Sequence, residues 1–321
     1  MKKIIGFITI LVIMMVITAC GDSNADNNTN GNTNTNNDNN TEDQVVTIEH
    51  ELGTAEVPKN PEKVVVFDYG TLDTLDALGI DVAAVSKMNV PSYLDKYDSD
   101  EYENAGTLFE PDFEKLSEID PDVIFISGRQ SEVYDQLEEL APTVYLAVDN
   151  ERYMDSFKEN LDVIADIFDK QDEVDEEYAE IEASIEELNE VTEASDNEGL
   201  IILANDDKIS AYGSESRFGL IHDVFGVPAV DEGIEASTHG MNVTFEYVVE
   251  QDPDILYVVD RGAVVGGESS AKQLVENKLV KNTKAYKNDN IVYLDPDYWY
   301  LSGGGLQSVS EMVDEIAASY E

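Results

Sequence analysis

Phe113 to Arg129 reads FEKLSEIDPDVIFISGR, and Phe245 to Arg261 reads FEYVVEQDPDILYVVDR. The two stretches lie at an offset of 132 residues and agree at seven of 17 positions. Each predicts a short helix that stops at Asp-Pro, because proline disfavours helical backbone at the residue before it. Each then enters a continuous apolar segment, Val123 to Ser127 or Ile255 to Val259, with an arginine at or beyond its C-terminal end. Apolar strands without alternation are buried on both faces, the pattern of a parallel sheet covered by helices. Looser repeats flank these two. VVVF (Val64 to Phe67) and LIILA (Leu200 to Ala204) open each unit, while TVYLAVD (Thr143 to Asp149) and IVYLDPD (Ile291 to Asp297) close it. The expectation is an α/β protein of two lobes with parallel sheets, 44–150 and 199–321. Between them, 151–198 is rich in Glu, free of Gly and Pro, and carries apolar residues at helical spacing, from Phe157 and Leu161 to Ile185 and Leu188. It predicts one or two long helices joining the lobes in a single crossing, with small lobe movements.

The 321 residues include 19 Lys+Arg and 69 Asp+Glu, a formal net charge of −50. Such a surface repels nucleic acid and anionic lipid headgroups. The single cysteine excludes a disulfide framework and a Cys-based zinc cluster. The acidity fits either a saline habitat or a solubility device.

Lys2 and Lys3 precede an apolar run, Ile4 to Ile17, closed by Thr18 and Ala19 before Cys20. This is the pattern of a secretion signal over 1–19. The run Ile17-Thr18-Ala19-Cys20 resembles a bacterial lipobox, in which Cys20 would carry the lipid anchor. Residues 20–43 are mostly Asn, Thr, Asp and Gly and read as a disordered tether. The expected location is the extracytoplasmic face of the cell membrane.

Ligands of open α/β sheets bind outside the carboxyl ends of the strands. Of the four arginines, Arg129 and Arg261 are equivalent repeat positions at strand ends, and Arg217 follows a strand near Ile209 to Tyr212. Together they would form a positive well suited to carboxylate or phenolate oxygens. Lys87, after the second strand of the first lobe, is a further candidate. His239 in STHG and Tyr300 in YWYLSGGG carry groups competent for Fe(III), although spacing alone defines no metal site. His222 and His50 read as structural. Ser302 to Gly305 offers either amides for an anion or a plain helix start. No phosphate-binding, nucleophile-elbow or metalloprotease motif occurs, so an enzyme is not expected.

Taken jointly, VVVFDYGTLDTLDALG, EPDFEKLSEIDPDVIFISGRQSE, KISAYGSESRFGLIHDVFGV, STHG, VVDRG and YWYLSGGGLQS resemble the siderophore-binding lipoproteins of bacterial ABC iron importers. The likeness runs from about Val45 to Tyr320 and is strongest to petrobactin and catecholate binders. It implies a helical-backbone, class III periplasmic-binding-protein-like fold and a lipid-anchored receptor. The receptor would hold a ferric siderophore between its lobes, with no intrinsic cofactor, and deliver it to an ABC permease as a monomer. It further implies that Arg129, Arg217, Arg261 and Lys87 contact catecholate oxygens. His239 and Tyr300 would line the pocket, or bind iron directly when a tetradentate siderophore leaves two coordination sites open. Asp73 or Asp76 in the first lobe and Asp223 in the second would meet permease arginines. Competing readings are a haem, cobalamin or hydroxamate receptor of the same fold, a bare Mn/Zn receptor, and a cell-surface hydrolase.

Overall fold

In a computed structural model of the chain, residues 45–267 and 270–321 are described. The leader, the tether and Cys20 lie outside them. The body opens with an antiparallel hairpin, β1 (Val45–His50) and β2 (Gly53–Pro58), set beside the first sheet. That sheet contains β3 (Val64–Val66), β4 (Ala84–Val85), β5 (Glu103–Asn104), β6 (Val123–Ile126) and β7 (Thr143–Tyr145). Its order is β5-β4-β3-β6-β7, all parallel. The second sheet contains β8 (Gly199–Asn205), β9 (Lys208–Tyr212), β10 (Met241–Val243), β11 (Ile255–Asp260) and β12 (Ile291–Leu294), in the equivalent order β10-β9-β8-β11-β12. Here the parallel expectation holds only for β8, β11 and β12. β9 runs antiparallel to β8 because a two-residue turn joins them, its first residue, Asp206, at φ +53°, and β10 is antiparallel to β9.

The repeated stretch does the same work in both sheets. The helices Phe113–Ile119 and Phe245–Gln251 close on Asp120 and Asp252, which adopt the left-handed conformation at φ +55° and +48°, a region aspartate tolerates better than most residues. After the proline, the second aspartate ties two strand starts together. Asp122 accepts from the amides of Glu62 and Lys63 at 2.9 and 2.8 Å, just before β3. Asp254 accepts from the Glu198 amide at 3.3 Å, just before β8. Each repeat strand thereby pairs with the first strand of its sheet, β6 with β3 and β11 with β8.

The linking segment is two helices, Tyr153–Phe168 and Gln171–Glu193. The break falls at Asp169, φ +54°, whose carboxylate takes hydrogen bonds of 2.8 Å from Lys59 and from Asn60. The crossing helix Gln171–Glu193 spans about 35 Å at 1.5 Å per residue. A second connection accompanies it. The C-terminal helix Leu306–Ala318 packs along the crossing helix and against Tyr69–Ala77 of the first lobe. One continuous buried cluster runs through both lobes, from Ile48 and Val64 to Val259 and Ile316.

Asp73 secures that contact and corrects its expected role as a permease-docking residue. It is 1% exposed. Its carboxylate accepts from the amides of Gln307 and Ser308, both at 2.8 Å, and from the Tyr93 hydroxyl at 2.8 Å. The amides at the start of the last helix thus hold an anion from within the chain. Gly305 makes the approach possible, since a Cβ there would lie 2.4 Å from the Asp73 carboxyl carbon. Asp76 is half-buried and takes the Tyr97 hydroxyl at 2.7 Å as well as Lys96. Asp223 is exposed, with its carboxylate on the Glu215 amide. Among the described residues no helix is long and apolar enough to cross a membrane.

Candidate ligand cleft

Both sheets change direction between their first and fourth strands, β3 and β6 in one and β8 and β11 in the other, and a crevice forms where such strand orders reverse. The cleft there has a volume of about 680 Å³. Met88, Phe109 and Arg129 line it from the first lobe, and Asn205, Arg261 and Tyr300 from the second. Asn205 ends β8 and Arg261 follows β11 directly, while Arg129 follows β6 in a short helical turn, Gly128–Val133.

The arginines converge on Tyr300. Arg129 and Arg217 both donate to its carbonyl oxygen, at 3.1 and 2.7 Å. Arg261 donates through Nε to the Tyr300 hydroxyl at 2.7 Å and through a terminal nitrogen to Asn205 at 2.8 Å. The Arg217 guanidinium also stacks over the Tyr300 ring, 4.2 Å from its centre. Local backbone explains why the carbonyl is free for this. Asp297–Leu301 forms one wide turn closed by the Ser302 amide on the Asp297 carbonyl at 3.1 Å. The chain then turns away through Gly303 and Gly304, the latter at φ +103°. Such wide turns recur at functional sites.

Among the described residues none of these three arginines pairs with a carboxylate, whereas Arg152 is bound to Asp149 and Glu159 at the surface. Burial and the neighbouring Arg129 charge push the Arg217 pKa down. Burial would raise the Tyr300 phenol, but the Arg261 hydrogen bond and the three guanidinium charges outweigh it and hold it below the ordinary tyrosine value. The site is a cationic cradle whose donors now rest on a carbonyl and a phenol. It can exchange those oxygens for those of an anionic ligand. Asp206 and Asp207 also line the cleft, so it is not cationic throughout.

Residues 64–298 match the Periplasmic binding protein family. The chain belongs to that family. It is 48% identical to the petrobactin-binding protein YclQ of Bacillus subtilis (strain 168) over the whole of both chains. It is 32% identical to the ferric-anguibactin-binding protein FatB of Vibrio anguillarum, covering 86% of this chain and 88% of that one. The crystal structure of YclQ superposes with a TM-score of 0.85 at 51% identity, over 87% of this chain and 99% of that one. The periplasmic catecholate-siderophore binding protein VctP of Vibrio cholerae superposes with a TM-score of 0.82 at 36% identity, over 86% of this chain and 100% of that one. These relatives are all binding proteins.

Within the family fold, the sequence candidates divide. Arg129, Arg261 and Tyr300 line the cleft, and Arg217 lies against Tyr300. Lys87 is not brought into it: its ammonium bonds to the carbonyls of Asp98 and Ser99 at 3.2 and 2.6 Å, at the end of a neighbouring turn. His239 is exposed and is not among the lining residues, so the expected His239–Tyr300 iron pair is represented in the cleft by Tyr300 alone. His222 and His50 bond to the carbonyls of Val227 and Thr143 at 2.8 and 3.0 Å, consistent with structural roles. The sequence reading missed Phe109, Met88 and Asn205. Asn205 was available as the C-terminal end of a buried strand; Phe109 and Met88 carry no chemistry that spacing could flag.

Proposed function

We propose that the protein is a receptor that binds a ferric catecholate siderophore, petrobactin or a close chemical relative, between its lobes and delivers it to an ABC permease. The observation that carries this is the convergence of Arg129, Arg217 and Arg261, from both lobes, on the oxygens of one tyrosine in a chain of net charge −50. A ferric catecholate presents several phenolate oxygens around a net negative centre, and charge-assisted contacts to them contribute roughly 1.5 to 3 kcal/mol each. The relationship to YclQ and VctP supports the ligand class. Anchoring through a lipid on Cys20, a monomeric state, and docking through Asp223 and the partly exposed Asp76 belong to the same reading.

Calorimetric titration of the full chain in detergent with ferric petrobactin, a ferric bis-catecholate, a ferric hydroxamate and haemin tests it. Calorimetry is preferable to intrinsic fluorescence because Trp299 is buried and bonds Glu315 at 2.6 Å rather than lining the cleft. Submicromolar binding of the catecholates alone is expected. Arg217→Ala should weaken it by tenfold or more, on the scale of one charged hydrogen bond, and Arg152→Ala should not. Preference for hydroxamate or haemin would overturn the ligand, and equal effects of the two substitutions would overturn the site.

A further inference from the structure

We propose that Phe109 is an aromatic platform that stacks on a ring of the bound ligand and makes the cleft select aromatic chelators over aliphatic ones of similar charge. The proposal deepens the reading above and rests on it. Phe109 is 60% exposed, the most exposed of the large apolar side chains among the described residues. It belongs to none of the buried clusters, yet it lines the same cleft as Arg129, Arg261 and Tyr300. A phenylalanine so placed does nothing for the fold and leaves an aromatic face beside a cationic cradle.

The backbone beneath it is tightly determined. Thr107 Oγ1 accepts from the amides of Phe109 and Glu110 at 3.2 and 2.9 Å, and the Thr107 amide donates to the Glu110 carbonyl at 3.0 Å. Gly106 and Pro111 pair across the base of the turn. Gly106 sits at φ +114°, where a Cβ would lie 2.6 Å from both the Asp112 amide nitrogen and the Glu110 carbonyl oxygen. Leu108 is buried as the turn's anchor. The Gln130 side chain, fully buried, donates to the Leu108 carbonyl and accepts from the Ser127 amide at 3.1 Å. Gln130 is the neighbour of Arg129 in the chain. One short frame therefore sets a ring and a guanidinium together on the first-lobe wall, one suited to the face of an aromatic ring and the other to the oxygens at its edge. Met88 continues the apolar part of that wall.

The test compares the full chain with Phe109→Ala and Phe109→Trp, using a ferric bis-catecholate and ferric citrate as probes and thermal unfolding as the control for folding. Phe109→Ala should leave the melting temperature unchanged and weaken the catecholate roughly tenfold, the scale of a stacked aromatic contact, while any binding of ferric citrate stays the same. Phe109→Trp should retain catecholate affinity and add a fluorophore that the ferric catecholate quenches saturably. Equal loss for both probes, no loss for the catecholate, or an added fluorophore in Phe109→Trp that stays unquenched would each overturn the proposal. Intact binding with reduced uptake in cells would also overturn it, reassigning Phe109 to a permease contact. If the native chain bound no aromatic chelate, the functional reading itself would fail, an outcome distinct from these.

Discussion

Tyr300 sits where two opposing influences meet: burial disfavours its phenolate, and the Arg261 hydrogen bond with three guanidinium charges favours it more. An anionic ligand competes for that same positive charge. Ligand binding should therefore push the phenol back up, and by linkage affinity should fall as pH rises through the free-state value, below the ordinary tyrosine range near 10. Titrations between about pH 7 and 10 should show this alkaline limb in the native chain and its flattening in Tyr300→Phe. Retention of the limb in the variant would assign it to another group. Arg129 and Arg261 were legible as cleft residues because they are equivalent positions at strand ends of an internal repeat; Arg217 lies outside that repeat, after a strand that runs antiparallel to β8, and meets Tyr300 all the same. Lys87, chosen for its place after a strand, falls outside the cleft for the same kind of reason, whereas His239 was a candidate by its chemistry alone and is exposed away from the lining residues. Proximity in sequence to a strand end does not say which way a side chain leaves a loop, and Lys87 leaves toward the Asp98 and Ser99 carbonyls.

The start of the last helix shows how an element can be read correctly and its partner missed. Ser302 to Gly305 announced a helix start or an anion site; the anion is Asp73, 232 residues before Gly305 in the chain. A long-range cap leaves no local trace, so Asp73 read as one surface carboxylate among many. Burial pushes its pKa up to about 6, against the opposing effect of the Gln307 and Ser308 amides and the Tyr93 hydroxyl. Between its unfolded value near 4 and about 6, the folded state binds the extra proton. Asp73 therefore contributes stability at pH 4 that is lost as pH rises past 6. The difference in unfolding free energy between the native chain and Asp73→Asn should shrink from pH 4 to pH 7 by on the order of 1 to 3 kcal/mol, measured by urea denaturation. A difference constant with pH would mean that Asp73 stays ionised throughout. Gly305→Ala should destabilise the protein by roughly 2 kcal/mol or more, because its Cβ cannot share space with the Asp73 carboxyl; an unchanged denaturation midpoint would show that the cap yields at little cost. The paired Asp-Pro-Asp segments, in contrast, were fully local signals, and the helix ends and the buried strands they predicted are where the structure has them.

At the scale of the whole molecule, the net charge of −50 and the arginine cradle act over different distances. The far field repels an anionic chelate, and the cradle attracts it only at contact. Salt screens the first much more than the second, with a Debye length of about 10 Å at 0.1 M. Association of a ferric catecholate should therefore accelerate as ionic strength rises from about 10 mM to 150 mM, opposite to ordinary electrostatic steering. Stopped-flow measurement would decide it, since a rate that falls with salt would mean the cradle's field extends beyond the cleft mouth. The pair of connections between the lobes has a further consequence. With the crossing helix and the capped C-terminal helix both packed on a shared core, the lobes are expected to move little on loading, and under the proposed function empty and loaded receptors would present nearly the same outline to a transporter. Unloaded copies would then compete with loaded ones for the same docking place, and overproducing the receptor beyond the supply of ligand would slow iron import rather than speed it.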